Sequence, residues 1–262
     1  MRSPTLVATE DLHEEKYAEI LCYPRVDTKQ LELRIGELKT LGVKAIEFEG
    51  GKKIGGLSVL GKGCVSLVVI AHGDFGKAAL KIRRLDANRP SMDHEAEMLR
   101  IANSIGVGPK LYQVTTNFLL MEFIDGELLP DWIERVKGRG ERDKACRVFS
   151  KILKDCFALD KIGLDHGELS RAPKHILVDV RDSPKIIDFE TASRDRRTAN
   201  VTSILQYLFI GSELSKQIRE IIGEIEAQTL LESLREYKRE KTSEKFQKVL
   251  EACRIGDSCV SG

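Results

Sequence analysis

The residues best suited to chemistry lie between Leu164 and Ser193, in LDHGELSRAPKHILVDVRDSPKIIDFETAS. Two short apolar runs, HILVDV and KIIDF, are edged by His166, Glu168, His175 and Asp188. The β-branched and apolar residues Ile176–Val178 and Ile186–Ile187 predict strands packed on a core. Ser183–Pro184, with Asp182 leading in, suits a hairpin turn. Such a hairpin presents one carboxylate, Glu168, in its entry loop and another, Asp188, where its second strand ends. Phosphoryl transfer needs that arrangement: one group beside the attacking hydroxyl and one holding a metal ion. The competing reading is a surface hairpin whose acids are merely solvated.

Those residues have to be carried by something large enough to fix them. The chain has 262 residues, 42% hydrophobic and 32% charged, enough for one domain or two small lobes around a substantial core. Lys and Arg number 42 against 41 Asp and Glu, a net charge of +1, so there is no global case for a nucleic-acid or membrane partner. Six cysteines, Cys22, Cys64, Cys146, Cys156, Cys253 and Cys259, are far apart and form no CxxC pair. They read as incidental or buried thiols of a reducing cytosol rather than zinc ligands. No apolar run reaches the ~18 residues of a membrane span, and the first fifteen residues lack a signal-peptide core. A cytoplasmic protein is expected.

Residues 1–52 read as a separate helix–strand element. Asp27 caps a helix with Gln30 three residues on, Leu31, Ile35, Leu38 and Leu41 recur at helical spacing, and Gly42 ends it. Lys44–Glu49 alternates as an edge strand. At this size the element is expected to pack on the strands after it rather than stand alone.

From Leu57 to Arg83 the pattern predicts strand, glycine loop, strand, turn and strand. Gly61-x-Gly63-x-x-Ser66 would let backbone N–H groups approach phosphates, although an ordinary tight hairpin has the same composition. The loop is followed by β-branched LVVIAH rather than a helix, which excludes a dinucleotide fingerprint, and no GK[ST] follows for a Walker A loop. His72–Gly76 spells HGDFG but is turn chemistry between two strands. On the next strand Ala79 and Lys81 share a face; Lys77 lies too near the turn, and Arg83 begins a polar exit. Asp93–Ser104 is an amphipathic helix carrying Glu95 and Glu97. KLYQVT and NFLLMEF then form a strand pair around Thr116–Asn117. Asp131–Val136 starts a second lobe as a short helix, and Ala145, Phe149, Ile152, Leu153, Cys156 and Phe157 stripe a longer one. Val201–Phe209 suggests a further buried helix, and two charged amphipathic helices are expected from Glu213, with Thr242 or Ser243 capping the last.

Taken in order, the glycine loop, AxK, helix glutamate, MEFIDG, HGE…KH and DFE resemble the protein-kinase-like superfamily, whose catalytic loop and metal strand read HRDxxxxN and DFG. CYPR, VLGKGC, ALKIRR, GVGPKLY, DHGELS and IIDFE are similar to the archaeal predicted Ser/Thr protein kinase family, related to RIO and to the small KEOPS-complex kinase. The resemblance covers nearly the whole chain. It implies an α+β, bilobal fold: the extension (1–52), an N-lobe with a five-stranded antiparallel sheet (53–125), and a trimmed, mainly helical C-lobe (126–262). It also implies ATP and Mg²⁺ or Mn²⁺ as cofactors. Gly61, Lys62, Gly63, Ser66 and Ala79 would line the phosphates, and Lys81, paired with Glu95 in preference to Glu97, would hold them. Met121, Glu122 and Ile124 would form the adenine hinge. Glu168 would take the place of the loop aspartate, and Asp188 would coordinate metal. Two residues are inserted in SRAPK, and His175 falls where a metal-binding asparagine would sit, so it is either a ligand or a hydrogen-bonding residue. His166 reads as a loop stabiliser.

The activity implied is atypical Ser/Thr protein phosphorylation, on another protein or on itself. A small-molecule kinase or ATPase and a nucleotide-binding scaffold with little turnover are the alternatives. The expected partners are ATP, a protein substrate not identified by sequence, and a protein complex; Ser193–Arg197 could face an acidic or RNA partner but reads better as a solvated loop.

Overall fold

Strand and helix formation follow the apolar patterns closely. The computed structural model describes residues 4–255, apart from the side chains of residues 171–173. It divides into two compact units: Met1–Arg100 with Pro109–Phe123, and Ile101–Gly108 with Ile124–Gly262.

The first unit is built on a sheet. Its elements in order are β1 (Thr5–Ala8), α1 (Glu15–Leu21), α2 (Thr28–Thr40), β2 (Val43–Phe48), β3 (Lys52–Ile54), β4 (Leu57–Val59), β5 (Gly61–Lys62), β6 (Ser66–Gly73), β7 (Gly76–Arg83), most of α3 (Asp93–Asn103), β8 (Leu111–Val114) and β9 (Phe118–Glu122). The main sheet runs β1-β2-β6-β7-β9-β8, with β5 on β6, and its pairs are antiparallel. Where five strands are expected, this sheet has seven, because the N-terminal element contributes two. The alternating segment after Gly42 is therefore not an edge: Thr5–Ala8 covers the flank of β2, and β6 covers the other. The first expected strand, at Leu57–Leu60, pairs as β4 back on β3 outside this sheet, and Gly61–Lys62 of the expected glycine loop joins β6 instead.

The extension shares one core with this sheet. Leu12, Ile20, Leu21, Leu38 and Ile46 are buried with Leu67, Val69, Leu80 and Phe118. Asp27 caps α2 by accepting from the Gln30 amide at 2.8 Å. Arg34, buried on the same helix, donates to the carbonyls of Leu21 and Arg83 and to Asn117 Oδ1. Glu37 accepts from the Asn117 amide and side chain and from Thr115. Together Arg34 and Glu37 fasten the extension to the β8–β9 turn. Burial lowers the Arg34 pKa to about 10, still well above neutral pH.

The second unit is mainly helical. It contains β10 (Gly126–Leu128), α4 (Leu129–Val136), α5 (Arg142–Lys161), β11 (Ile176–Asp179), β12 (Pro184–Ile186), α6 (Asn200–Leu205), α7 (Glu213–Ile222), α8 (Ala227–Arg239) and α9 (Ser243–Ala252). The strands form a small sheet in the order β10-β11-β12. Trp132, Phe149 and Phe209 stack edge to face in the core, at 6.3 and 6.0 Å between neighbouring centroids. Among the described residues three helices, not two, run from Glu213 onward: Gly223 at φ +96° ends α7, and Glu226 caps α8 by accepting from the Gln228 and Thr229 amides. Thr242 caps the last. Cys22, Cys146, Cys156 and Cys253 are buried and Cys64 is exposed, and none of these five is in a disulfide, whereas Cys259 lies outside the described residues. No helix among the described residues is long and apolar enough to cross a membrane.

Candidate active site

The site residues fall into two sets, one in each unit. In the first unit β7 carries Ala79 and Lys81 into the sheet centre, where Lys81 is registered against Val68 and Leu119. One helical turn into α3, Glu95 meets it: Lys81 Nζ to Glu95 Oε1 is 2.6 Å. An ammonium so far from water needs a countercharge, and this carboxylate supplies it.

The glycine loop crosses from β5 to β6 as a tight turn, with the Gly63 amide donating to Ser66 O at 2.8 Å. Ser66 is buried at the start of β6, while Lys62, Gly63 and Cys64 are exposed. The HGDFG segment is a two-residue hairpin turn, with Gly73 paired to Gly76 and Asp74 ion-paired to Lys44 at the surface. Met121 and Glu122 end β9; the Glu122 amide donates to Lys110 O, and its carboxylate accepts from the Lys110 amide. Ile124, in the second unit, lies just outside any strand.

In the second unit β11 and β12 form the expected hairpin. Asp179 accepts from the amides of Arg181 and Ser183, shaping the turn, and Asp182 adopts φ +59° while accepting from the Trp132 indole. The Ile187 amide donates to His175 O. Directly afterwards Asp188 takes φ +70°, a left-handed backbone that costs a non-glycine residue energy and is held by its surroundings. His175 stands between the two acids: its Nε2 is 3.4 Å from Glu168 Oε2 and its Nδ1 3.7 Å from Asp188 Oδ2. One ligand atom from each of Glu168, His175 and Asp188 lies within 4.8 Å of the others. His175 is buried, and both acids are about three-tenths exposed.

The loop preceding Glu168 is held by residues whose roles are not evident from motif order. His166 is fully buried; its Nε2 donates to Ile187 O at 3.0 Å and its ring packs 5.0 Å from Phe189. Burial pushes its pKa down to about 4, so it is neutral and unsuited to proton transfer near pH 7. Asp160, at the end of α5, accepts from Asn200 N and Nδ2 and from the Tyr237 hydroxyl. The Asn200 Oδ1 in turn accepts from the His166 amide. Asp165 accepts from Arg196 Nε and the Ala199 amide. Gly167 adopts φ +91°, and a Cβ there would collide with the Arg196 guanidinium and Thr191. The positive φ and the nearby Thr191 carbonyl favour glycine after His166. Arg194–Arg197 are exposed, as expected of a solvated loop, although Arg196 also reaches back to Asp165. A signal for Asp160 was present: it continues the Phe149, Leu153, Cys156 stripe of α5, and an acid at a stripe position has to be satisfied internally.

A mixed α+β chain with a lysine–glutamate pair on an antiparallel sheet, and a carboxylate-bearing loop before a hairpin, defines the protein-kinase-like class. The RIO domain family model matches residues 68–203. The chain belongs to that family of atypical, ATP-binding kinases and has its bilobal fold. It is also 33% identical over 121 residues to the uncharacterized protein MJ1211 of Methanocaldococcus jannaschii, covering 45% of this chain and 99% of that protein.

Proposed function

We propose that the chain transfers the γ-phosphoryl group of ATP to a serine or threonine hydroxyl of a protein, its own chain included among the candidates. The observation that carries this is the trio Glu168, His175 and Asp188, whose ligand atoms lie within 4.8 Å of one another, so that one acid could orient a substrate hydroxyl beside an acid that binds a cation. Phosphoryl transfer demands positioning and charge neutralisation more than covalent chemistry. In the first unit, Lys81 would hold the α- and β-phosphates, with Glu95 fixing its direction. In the second, Glu168 would accept or orient the substrate hydroxyl, and Asp188 would be the principal ligand of a divalent cation.

The donor set fits such a cation. Two carboxylates offer hard oxygen ligands, and His175 adds a nitrogen that suits Mn²⁺ better than Mg²⁺. When bound, the cation would neutralise charge on the phosphates. The residues' own task would be to hold the Asp188 carboxylate near His175 through its left-handed backbone and to keep Glu168 within reach of a hydroxyl.

A second reading, a nucleotide-binding scaffold with little turnover, is favoured by His175 itself, whose imidazole stands between the two acids and competes for both. The test compares γ-phosphate transfer in Mg²⁺ and in Mn²⁺ for wild type, Asp188→Ala and His175→Asn. Transfer to protein that vanishes in Asp188→Ala, with His175→Asn gaining activity in Mg²⁺ relative to Mn²⁺, supports the kinase. No transfer, with ATP still raising the melting temperature, supports the scaffold.

A further inference from the structure

The extension does more than enlarge the sheet, because one of its residues reaches the glycine loop. Tyr23 follows α1, and its carbonyl accepts from the Leu85 amide at 2.9 Å. Two cations approach its ring: Lys62 Nζ at 4.6 Å and Arg84 Cζ at 4.9 Å from the centroid. Lys62 belongs to the loop. Arg84 grips it as well, donating from Nη1 to Gly63 O at 2.8 Å and from its amide to Val65 O at 2.8 Å. The guanidinium is held in plane by Asp86, which accepts from Nε and Nη2 at 2.8 and 2.7 Å.

An exposed arginine–carboxylate pair alone has little worth. This one differs because its guanidinium also lies over an aromatic ring and donates to a loop carbonyl. We infer that Tyr23, acting through Lys62 and Arg84, is a positioning residue that braces the glycine loop in its phosphate-binding conformation. The inference rests on reading Gly61–Ser66 as the nucleotide loop.

The physical reason is the flexibility of that loop. Glycines let backbone amides approach a phosphate but leave many other conformations open. The apparent affinity of a ligand falls with the fraction of chains in the competent conformation, and cation–π and charge-assisted contacts raise that fraction before ATP arrives. Adenosine, which has no phosphate, gains nothing from it. The brace therefore acts on phosphate-bearing ligands specifically, which a general packing role would not.

The experiment is calorimetric titration of the full chain with ATP and, separately, adenosine, alongside steady-state kinetics. Tyr23→Leu and Arg84→Ala are expected to weaken ATP binding about 5- to 10-fold, raise KM for ATP and leave kcat nearly unchanged. Adenosine affinity should stay within about two-fold. Tyr23→Phe, which keeps the ring face, should restore wild-type ATP affinity. Unchanged ATP binding in both variants, or equal losses for ATP and adenosine, overturns the brace. If Tyr23→Leu does not fold, Arg84→Ala decides alone. A wild-type chain that binds no ATP, or binds it unchanged by Gly63→Val, instead overturns the nucleotide-loop reading beneath it.

Discussion

Lys81 and Glu95 form an ion pair of 2.6 Å in which only 5% of either side chain is exposed. A pair that far from water is costly to form and costlier to break by halves, since the surviving charge keeps its desolvation penalty and loses its partner. Glu95→Ala should therefore destabilise the chain by roughly 3–5 kcal/mol. The double change Lys81→Met with Glu95→Leu should recover most of that stability while leaving ATP binding lost. Chemical denaturation and ATP titration of the same variants separate the two effects. A double variant as unstable as Glu95→Ala would mean that the pair is not the unit on which stability depends.

Asp188 combines a functional carboxylate with a left-handed backbone, and the two can be parted. Asp188→Ala removes the carboxylate and keeps the strain, whereas Asp188→Gly removes both. Both should abolish phosphoryl transfer. Asp188→Gly should melt at least as high as wild type, and Asp188→Ala lower, by a difference of about 1 kcal/mol. Melting curves with parallel transfer assays check the order.

His166 makes stability fall in acid. Its pKa is about 4 when folded, lowered by burial, against an ordinary value of 6.5 in the unfolded chain. Between those values the unfolded chain binds the proton and the folded one does not, so stability rises with pH. The contribution is fully present above about pH 6.5 and is lost progressively as pH falls toward 4, amounting to roughly 3 kcal/mol over the window. Urea titrations of wild type and His166→Phe across pH 4–7 should show a shallower slope in the variant.

Arg34 is the buried cation that joins the extension to the sheet through Leu21 O, Arg83 O and Asn117 Oδ1. Arg34→Met fills much of the same space but leaves these acceptors without their donor. A loss of about 2–4 kcal/mol is expected. If hydrogen exchange then accelerates at β1 and β2 and also at β8–β9, the extension and the sheet unfold as one body; acceleration confined to β1 and β2 would show the extension to be separable.

What the sequence determined by itself was whatever depends on neighbours a few residues away. The Asp27 cap, the stripe of α2, the β-branched run of β6, the face alternation of β7 and the glycine turns are decided within a dozen residues by periodicity and backbone sterics, so they were legible. The HGDFG turn could be set aside for the same reason: it lay between two strands. The motif order then pointed to Lys81, Glu168 and Asp188. Tertiary structure decided what depends on distant segments. Thr5–Ala8 took the edge from β2 because strand pairing joins residues some forty positions apart. Asp160, Asn200, Tyr237 and Arg196 became supports of the Glu168 loop because buried polar groups must find partners wherever the fold brings them. Tyr23 met Lys62 and Arg84 for the same reason: a ring and two cations, separated by some forty to sixty residues, carry no mutual signal until the chain has folded them together.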